Sequence, residues 1–229
     1  FPCTAPSSER AASMCNLYTE RLSAAEVAAH FGVDVPDIVA TNAPSTVHPG
    51  APGMVVRVEN GRRILQSMGW GFPLKLASMK PGSKPKAVNN IADLRKPMWV
   101  GLARKPQWRC LIPLTAWAEP AGIKGSKTRI WLSLKDRPIF AWGGLWRDSA
   151  EWGPVYSGAM TDANEVAATV HNRMPVLLHE DEYDRWLHGS FDELIAFQDR
   201  VFPSGLIEIE PTDEPWLGWP SGAKPATLL

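Results

Sequence analysis

Cys15 follows Met14 directly in this chain. A cysteine whose α-amine is freed carries an amine and a thiol on adjacent carbons. Such a 1,2-aminothiol condenses with an aldehyde to an imine, which the thiol then closes to a stable five-membered ring. An internal cysteine cannot do this, because its nitrogen is an amide. Ordinary pKa values of about 8 for the amine and about 8.5 for the thiol leave both partly reactive at neutral pH. Three further groups suit carbonyl chemistry. Glu119 sits between Trp117-Ala118 and Pro120 and follows the apolar run Cys110 to Pro113; a carboxyl held among such neighbours has a raised pKa and can shuttle protons to an oxygen. His171 ends a capped segment and precedes a polar turn and Met174-Pro175, a setting for a general acid or base. Asn89 or Asn90 can hold an oxygen or a phosphate by its amide.

The chain contains no phosphate-binding glycine loop, His-Glu-x-x-His motif or nucleophile elbow. His30, His48, His171, His179 and His188 show no ligand spacing, and Cys3, Cys15 and Cys110 form neither a metal knuckle nor a disulfide framework. No metal and no cofactor are expected, and a reducing, cytoplasmic setting follows from the cysteine usage.

The elements that must position these groups are legible in part. Ser23-Ala24-Ala25-Glu26 is a capping box that opens a short helix closed by Gly32. Thr41 to Pro52 reads as a Pro/Gly-rich loop. Met54 to Val58, the Asn60-Gly61 turn and Arg62 to Ser67 form a β-hairpin. Met68 to Pro85 reads as irregular, centred on Gly69-Trp70-Gly71-Phe72-Pro73. Trp108 to Pro113, Ile130 to Leu134, Ile139 to Trp142 and Val155 to Met160 are strands. Asp162-Ala163-Asn164-Glu165 caps a helix running to His171. Asp181 to Leu187 and Ser190 to Asp199 are helical, and Leu206 to Glu210 is a last strand. Strands outnumber helices without alternating with them, so the expected class is α+β: a mainly antiparallel, barrel-like sheet with a few short flanking helices in a single domain.

The net charge of 0 argues against nucleic acid when taken globally. Its distribution argues the other way. Between Arg57 and Arg109 twelve Lys/Arg face two acids, whereas Asp148 to Glu214 holds fifteen acids and three arginines. Such asymmetry hints at a polyanion-binding face. Among eleven tryptophans, one or two can serve as stacking platforms for bases. No apolar run approaches the roughly 20 residues of a membrane span, so no membrane partner is expected.

Taken together, these motifs resemble the SOS response-associated peptidase family, the abasic-site processing proteins. Met14-Cys15 resembles the family's initiator and catalytic cysteine, Asn42-Ala43-Pro44 its Asn-x-Ala-Pro loop, and Trp70-Gly71 its Trp-Gly motif. Arg109 to Pro113 leading to Glu119 resembles its Arg-Cys-x-x-Pro strand and catalytic glutamate. Val170 to Leu178 resembles its His-x-Arg-Met-Pro-Val-x-Leu signature. The resemblance implies self-removal of the initiator methionine and capture of the ring-opened aldehyde of an abasic site in single-stranded DNA as a thiazolidine crosslink. It further implies that Cys15 crosslinks, Glu119 assists methionine removal, proton transfer and crosslink reversal, and His171 opens the sugar and serves lyase-type steps. The active-site asparagine orients cysteine and sugar, and Asn16, Asn42, Pro44, Trp70, Arg95, Lys96 and Arg173 would contact DNA. The expected protein is a cytoplasmic, nucleoid-associated monomer.

The chain also departs from the family pattern. Cys15-Asn16-Leu17 replaces Cys-Gly-Arg, as in a Cys-Asn-Leu-Tyr branch. Asn89-Asn90-Ile91-Ala92-Asp93 replaces Asn-Ala-Arg-x-Glu and lacks its arginine, for which Arg95 or Lys96 would substitute. Counting back from the acid selects Asn89, and the branch pattern Val-x-Asn-Ile selects Asn90, which is preferred. Glu119-Pro120 replaces Glu-Trp, and Pro211 to Leu229 lacks the usual Val-Asn ending. Residues 1–13 are expected to be an upstream extension, with Met14 as initiator of a domain over 14–229. Two rival readings are an N-terminal cysteine amidohydrolase acting on a small amide and a non-catalytic single-strand-binding module.

Overall fold

The computed structural model describes residues 15–216 apart from positions 40, 76, 81 and 124; the expected extension 1–13, Met14 and the end of the C-terminal tail lie outside them. Five strands close into a ring. Gly153–Asp162 pairs Phe140–Ser149, which pairs Arg109–Leu114, then Pro52–Glu59, then Arg62–Trp70. The last returns to the first through the parallel contacts Val155 to Gly69 and Tyr156 to Trp70. The other ring contacts are antiparallel, as the α+β, barrel-like reading predicts.

A second antiparallel sheet runs Ile207–Pro215, Thr128–Leu134, Ala116–Ala121, Tyr18–Thr19, Thr46–Val47. The chain passes from barrel to second sheet at Thr115, where Arg109–Leu114 ends and Ala116–Ala121 begins. This join carries Glu119 away from the barrel wall and towards the first residues of the described chain.

Side chains alternate along the barrel strands, and both faces are buried. Val56, Leu65, Leu111, Ala141 and Val155 pack with the helices in one cluster, while Val55, Trp70, Ile112, Trp142 and Tyr156 form another with Cys15 and Tyr18. Two buried faces explain why these strands read as apolar runs. Glycines make room for the inner aromatics: a Cβ at Gly158 would lie 2.0 Å from Trp142. Arg109 points to the helix-packed side, where no carboxylate among the described residues hydrogen-bonds it. Its guanidinium donates to the carbonyls of Ala103, Trp186 and Gly189 at 3.1, 3.3 and 2.6 Å, so it satisfies main-chain oxygens at two helix C-termini. Burial lowers its pKa to about 10.

The capping box at Ser23 and Glu26, with Gly32 closing Ala24–Phe31 in the left-handed region, forms as the sequence predicts, and so does the one at Ser190 and Glu193 on Phe191–Asp199. Other expectations need correction. The helix expected from Asp162 to His171 is a single 3-10 turn, Ala167–Thr169. Val166 stands at its N-cap without a side-chain bond, while Asn164 Oδ1 accepts from the Ala167 N–H at 2.9 Å. The Ala163 N–H then donates to the Asn172 carbonyl at 3.0 Å, which closes the loop and returns the chain to the strand Arg173–Pro175. The stretch from Met68 is not irregular throughout. Arg62–Trp70 continues to its end, Gly71 bends at φ 126°, and Phe72–Leu74 pairs with Lys86–Val88. The helix Pro97–Ala103 carries no capping signal in the sequence, since Lys96 at its N-cap supplies no side-chain cap.

Candidate active site

Residues Cys15 to Thr19 lie antiparallel along Ala116–Ala121, with Tyr18 opposite Trp117 and the Ala118 N–H donating to the Leu17 carbonyl at 2.9 Å. Continued along the chain, this register sets Asn16 opposite Glu119, and Cys15, next in line, feels the Glu119 charge. Asn90 Nδ2 donates to the Cys15 carbonyl at 2.7 Å, and Asn89 Nδ2 donates to the same oxygen at 3.2 Å and to Asn16 Oδ1 at 3.0 Å. Both candidate asparagines thus hold the Cys15 carbonyl, Asn90 by the shorter bond. Asn89 is fixed through its own carbonyl, which accepts from the Trp70 indole N–H at 2.9 Å and the Gly158 N–H at 3.1 Å. Asn90 is held on Asn90–Ile91, a two-residue parallel partner of Gly153–Asp162.

The Cys15 thiol is fully buried. Burial raises its pKa well above the ordinary value, the neighbouring Glu119 charge adds to this, and a hydrogen bond from Sγ to the Leu17 carbonyl at 3.6 Å acts the other way. The thiol expected to be partly reactive at neutral pH from its ordinary pKa is thus held in its neutral form, because a thiolate here would be desolvated beside a carboxylate. Glu119 is 1% exposed, and neither of its carboxyl oxygens has a hydrogen-bond partner in the described structure. Desolvation pushes its pKa up to about 8. At neutral pH the group is mostly protonated yet close enough to titration to give and take a proton.

His171 follows the 3-10 turn. Its Nδ1 lies 3.1 Å from the Arg173 N–H and 3.2 Å from the Arg173 carbonyl oxygen, so the ring is anchored to the backbone two residues on. Nε2 is buried without a hydrogen-bond partner. No hydrogen bond among the described residues joins His171 to Cys15 or Glu119; the frame they share is Gly153–Asp162, which pairs Asn90–Ile91 at Gly158 and Ala159 and Arg173–Pro175 from Met160 onward.

The residues expected to touch DNA divide. Asn42 and Pro44 are exposed, and Asn16 lines a cleft beside Cys15. Trp70 is fully buried, with its indole N–H used on Asn89, so it offers no surface to a DNA backbone. Arg173 turns inward: it donates to Asp162 at 3.1 Å and to the carbonyls of Ala92 and Met160 at 2.8 and 2.9 Å. Arg95 is ion-paired with Asp93 and Asp199, while Lys96 is exposed at the start of Pro97–Ala103. The basic segment is thereby partly neutralised in space, since Arg62 and Arg63 also pair with Asp37 and Asp184. Exposed Lys80, Lys84 and Lys86 remain on the run leading into Asn89. No group of three or more metal-ligating side chains is gathered among the described residues, and no described helix is long and apolar enough to cross a membrane.

The site also includes residues the sequence did not single out. The cleft, of about 440 Å³, is lined by Leu17, His48, Pro49, Arg129 and Trp216 together with Asn16 and Asn89. Beneath it the Tyr18 and Tyr156 hydroxyls meet at 2.5 Å over Gly53. Only long-range pairing brings these residues to Cys15, and no local motif marks them.

Solved structures with this fold include a protein from Bacteroides thetaiotaomicron, with a TM-score of 0.71 and 21% identity over 86% of this chain and 91% of that one. Another, from Bordetella bronchiseptica, has a TM-score of 0.70 and 19% identity over 86% and 99%. Among characterised sequences, the abasic site processing protein YoqW of Bacillus subtilis (strain 168) is 28% identical over 147 residues; the match spans 62% of this chain and 62% of that relative's length. The abasic site processing protein YoaM of the same organism is 32% identical over 108 residues, 44% of this chain and 47% of the relative. The profile of the SOS response associated peptidase family matches residues 14–208, and this chain, whose Cys15, Glu119 and His171 all lie inside that span, belongs to that family.

Proposed function

We propose that the chain binds single-stranded DNA and captures the aldehyde of an abasic site on Cys15 once the Met14–Cys15 peptide bond has been hydrolysed. The observation that carries this reading is the buried, unpartnered Glu119 carboxyl beside a cysteine whose carbonyl is held by two asparagine amides. The freed amine adds to the aldehyde carbon to give a carbinolamine. Protonated Glu119 gives its proton to the hydroxyl, which leaves as water, and a protonated imine forms beside the Glu119 carboxylate. The thiol adds to the imine carbon and returns a proton to the Glu119 carboxylate, so the net change is aldehyde plus aminothiol to thiazolidine plus water. A carboxyl with a pKa of about 8 serves both directions. His171 assists opening of the sugar ring, and Lys80, Lys84 and Lys86 supply cationic charge for the strand. The two B. subtilis relatives carry abasic site processing in their names, which supports the same reading.

The test is Cys15→Ala in the processed chain. It should bind single-stranded DNA as the parent does and form no heat-stable adduct with abasic DNA. Loss of DNA binding, or turnover of small amides by the parent without DNA, would favour the amidohydrolase instead.

A further inference from the structure

Most of the described tryptophans are buried in the core, but Trp216 is half-exposed and lines the cleft beside Cys15. Its backbone N–H donates to the Lys127 carbonyl at 2.8 Å, and its side chain packs against Leu17, Ala118 and Trp131. The indole is thus fixed against the cluster that contains Leu17, two residues after the cysteine, and Ala118, next to Glu119. The cleft volume of about 440 Å³ lies in the range that accommodates small organic groups. The cation on the same wall, Arg129, is already paired with Glu214 at 2.9 Å. Recognition here therefore falls to the flat aromatic face rather than to phosphate charge.

We propose that Trp216 is the stacking platform for the nucleobase next to the abasic site, a specificity-determining residue of the reaction proposed above. The inference rests on that reading of Cys15. Bases of single-stranded DNA stack on aromatic side chains irrespective of sequence, at about 1–3 kcal/mol each. A lesion has no base of its own, so a neighbouring base held on Trp216 would fix the strand while Asn16 and Asn89 line the sugar's approach to Cys15.

The experiment measures affinity of the processed chain for single-stranded DNA with one unreactive tetrahydrofuran lesion, and for the same DNA with tetrahydrofuran at both flanking positions too. Trp216→Ala should weaken binding to the first DNA about tenfold and leave binding to the second unchanged, while Trp216→Phe should recover most of the loss. Equal loss on both DNAs would assign Trp216 a structural role and overturn the inference. Parent-like binding by Trp216→Ala would overturn it as well. Crosslinking by the parent to reactive abasic DNA is run alongside: its absence overturns the reading of Cys15 together with this inference, whereas its presence with an indifferent Trp216 overturns the inference alone.

Discussion

Asn90 Nδ2 stands 2.7 Å from the carbonyl oxygen of Cys15, so the amide grips the backbone of the reactive residue and leaves thiol and nitrogen for chemistry. Asn89 adds a longer bond to the same oxygen and divides its amide with Asn16. Asn90→Ala should therefore slow crosslink formation about tenfold and Asn89→Ala by less, since loss of one buried hydrogen bond costs about 1–3 kcal/mol and the other donor remains. Single-turnover rates on abasic DNA check the order; a larger effect at Asn89 would contradict it.

Glu119 makes stability depend on pH. Its folded pKa of about 8 lies above the ordinary 4.5, so between those values the folded state keeps a proton that the unfolded state has released. Stability is fully present at low pH and falls as pH rises from about 4.5 to 8. Glu119→Gln has no such proton. Urea melts should show the variant gaining on the parent by on the order of 3 kcal/mol between pH 5 and pH 8, while crosslinking is lost. Parallel pH profiles would contradict the raised carboxyl.

Gly53 makes room for the hydroxyl pair under the site. A Cβ there would lie 2.0 Å from the Tyr156 hydroxyl and 2.2 Å from that of Tyr18. Gly53→Ala should destabilise by about 2–3 kcal/mol, and Tyr156→Phe in the same chain should recover part of it. Thermal melts of the single and double variants provide the measurement.

Arg109 acts as a clamp between the barrel and its helices. Arg109→Met keeps the aliphatic stem but orphans the carbonyls of Ala103, Trp186 and Gly189, at about 3 kcal/mol or more. Denaturant midpoints should fall accordingly.

The sequence singled out Cys15, Asn89, Asn90 and Glu119, which the fold gathers, and of the scaffold only the locally encoded parts. Helices with capping boxes, at Ser23 and Ser190, and the Asn60-Gly61 hairpin follow from local chemistry and form as read. The closing contact of Arg62–Trp70 with Gly153–Asp162 is parallel and more than eighty positions apart, and nothing local encodes it. The same distance hid Trp216 and Tyr156, whose places at the site depend on sheet register. Trp70 and Arg173 misled for a related reason. Their types suit DNA, but a tryptophan and an arginine are equally able to fix a carbonyl, and here both do.

The most direct test of the account is a denaturing gel of the chain beginning at Cys15, incubated with single-stranded DNA carrying one abasic site, beside the full chain. The account predicts a heat-stable shifted band from the chain beginning at Cys15, and from the full chain only where mass spectrometry shows the Met14–Cys15 bond cleaved. A band from the uncleaved chain, or none from the chain beginning at Cys15, would contradict aminothiol capture.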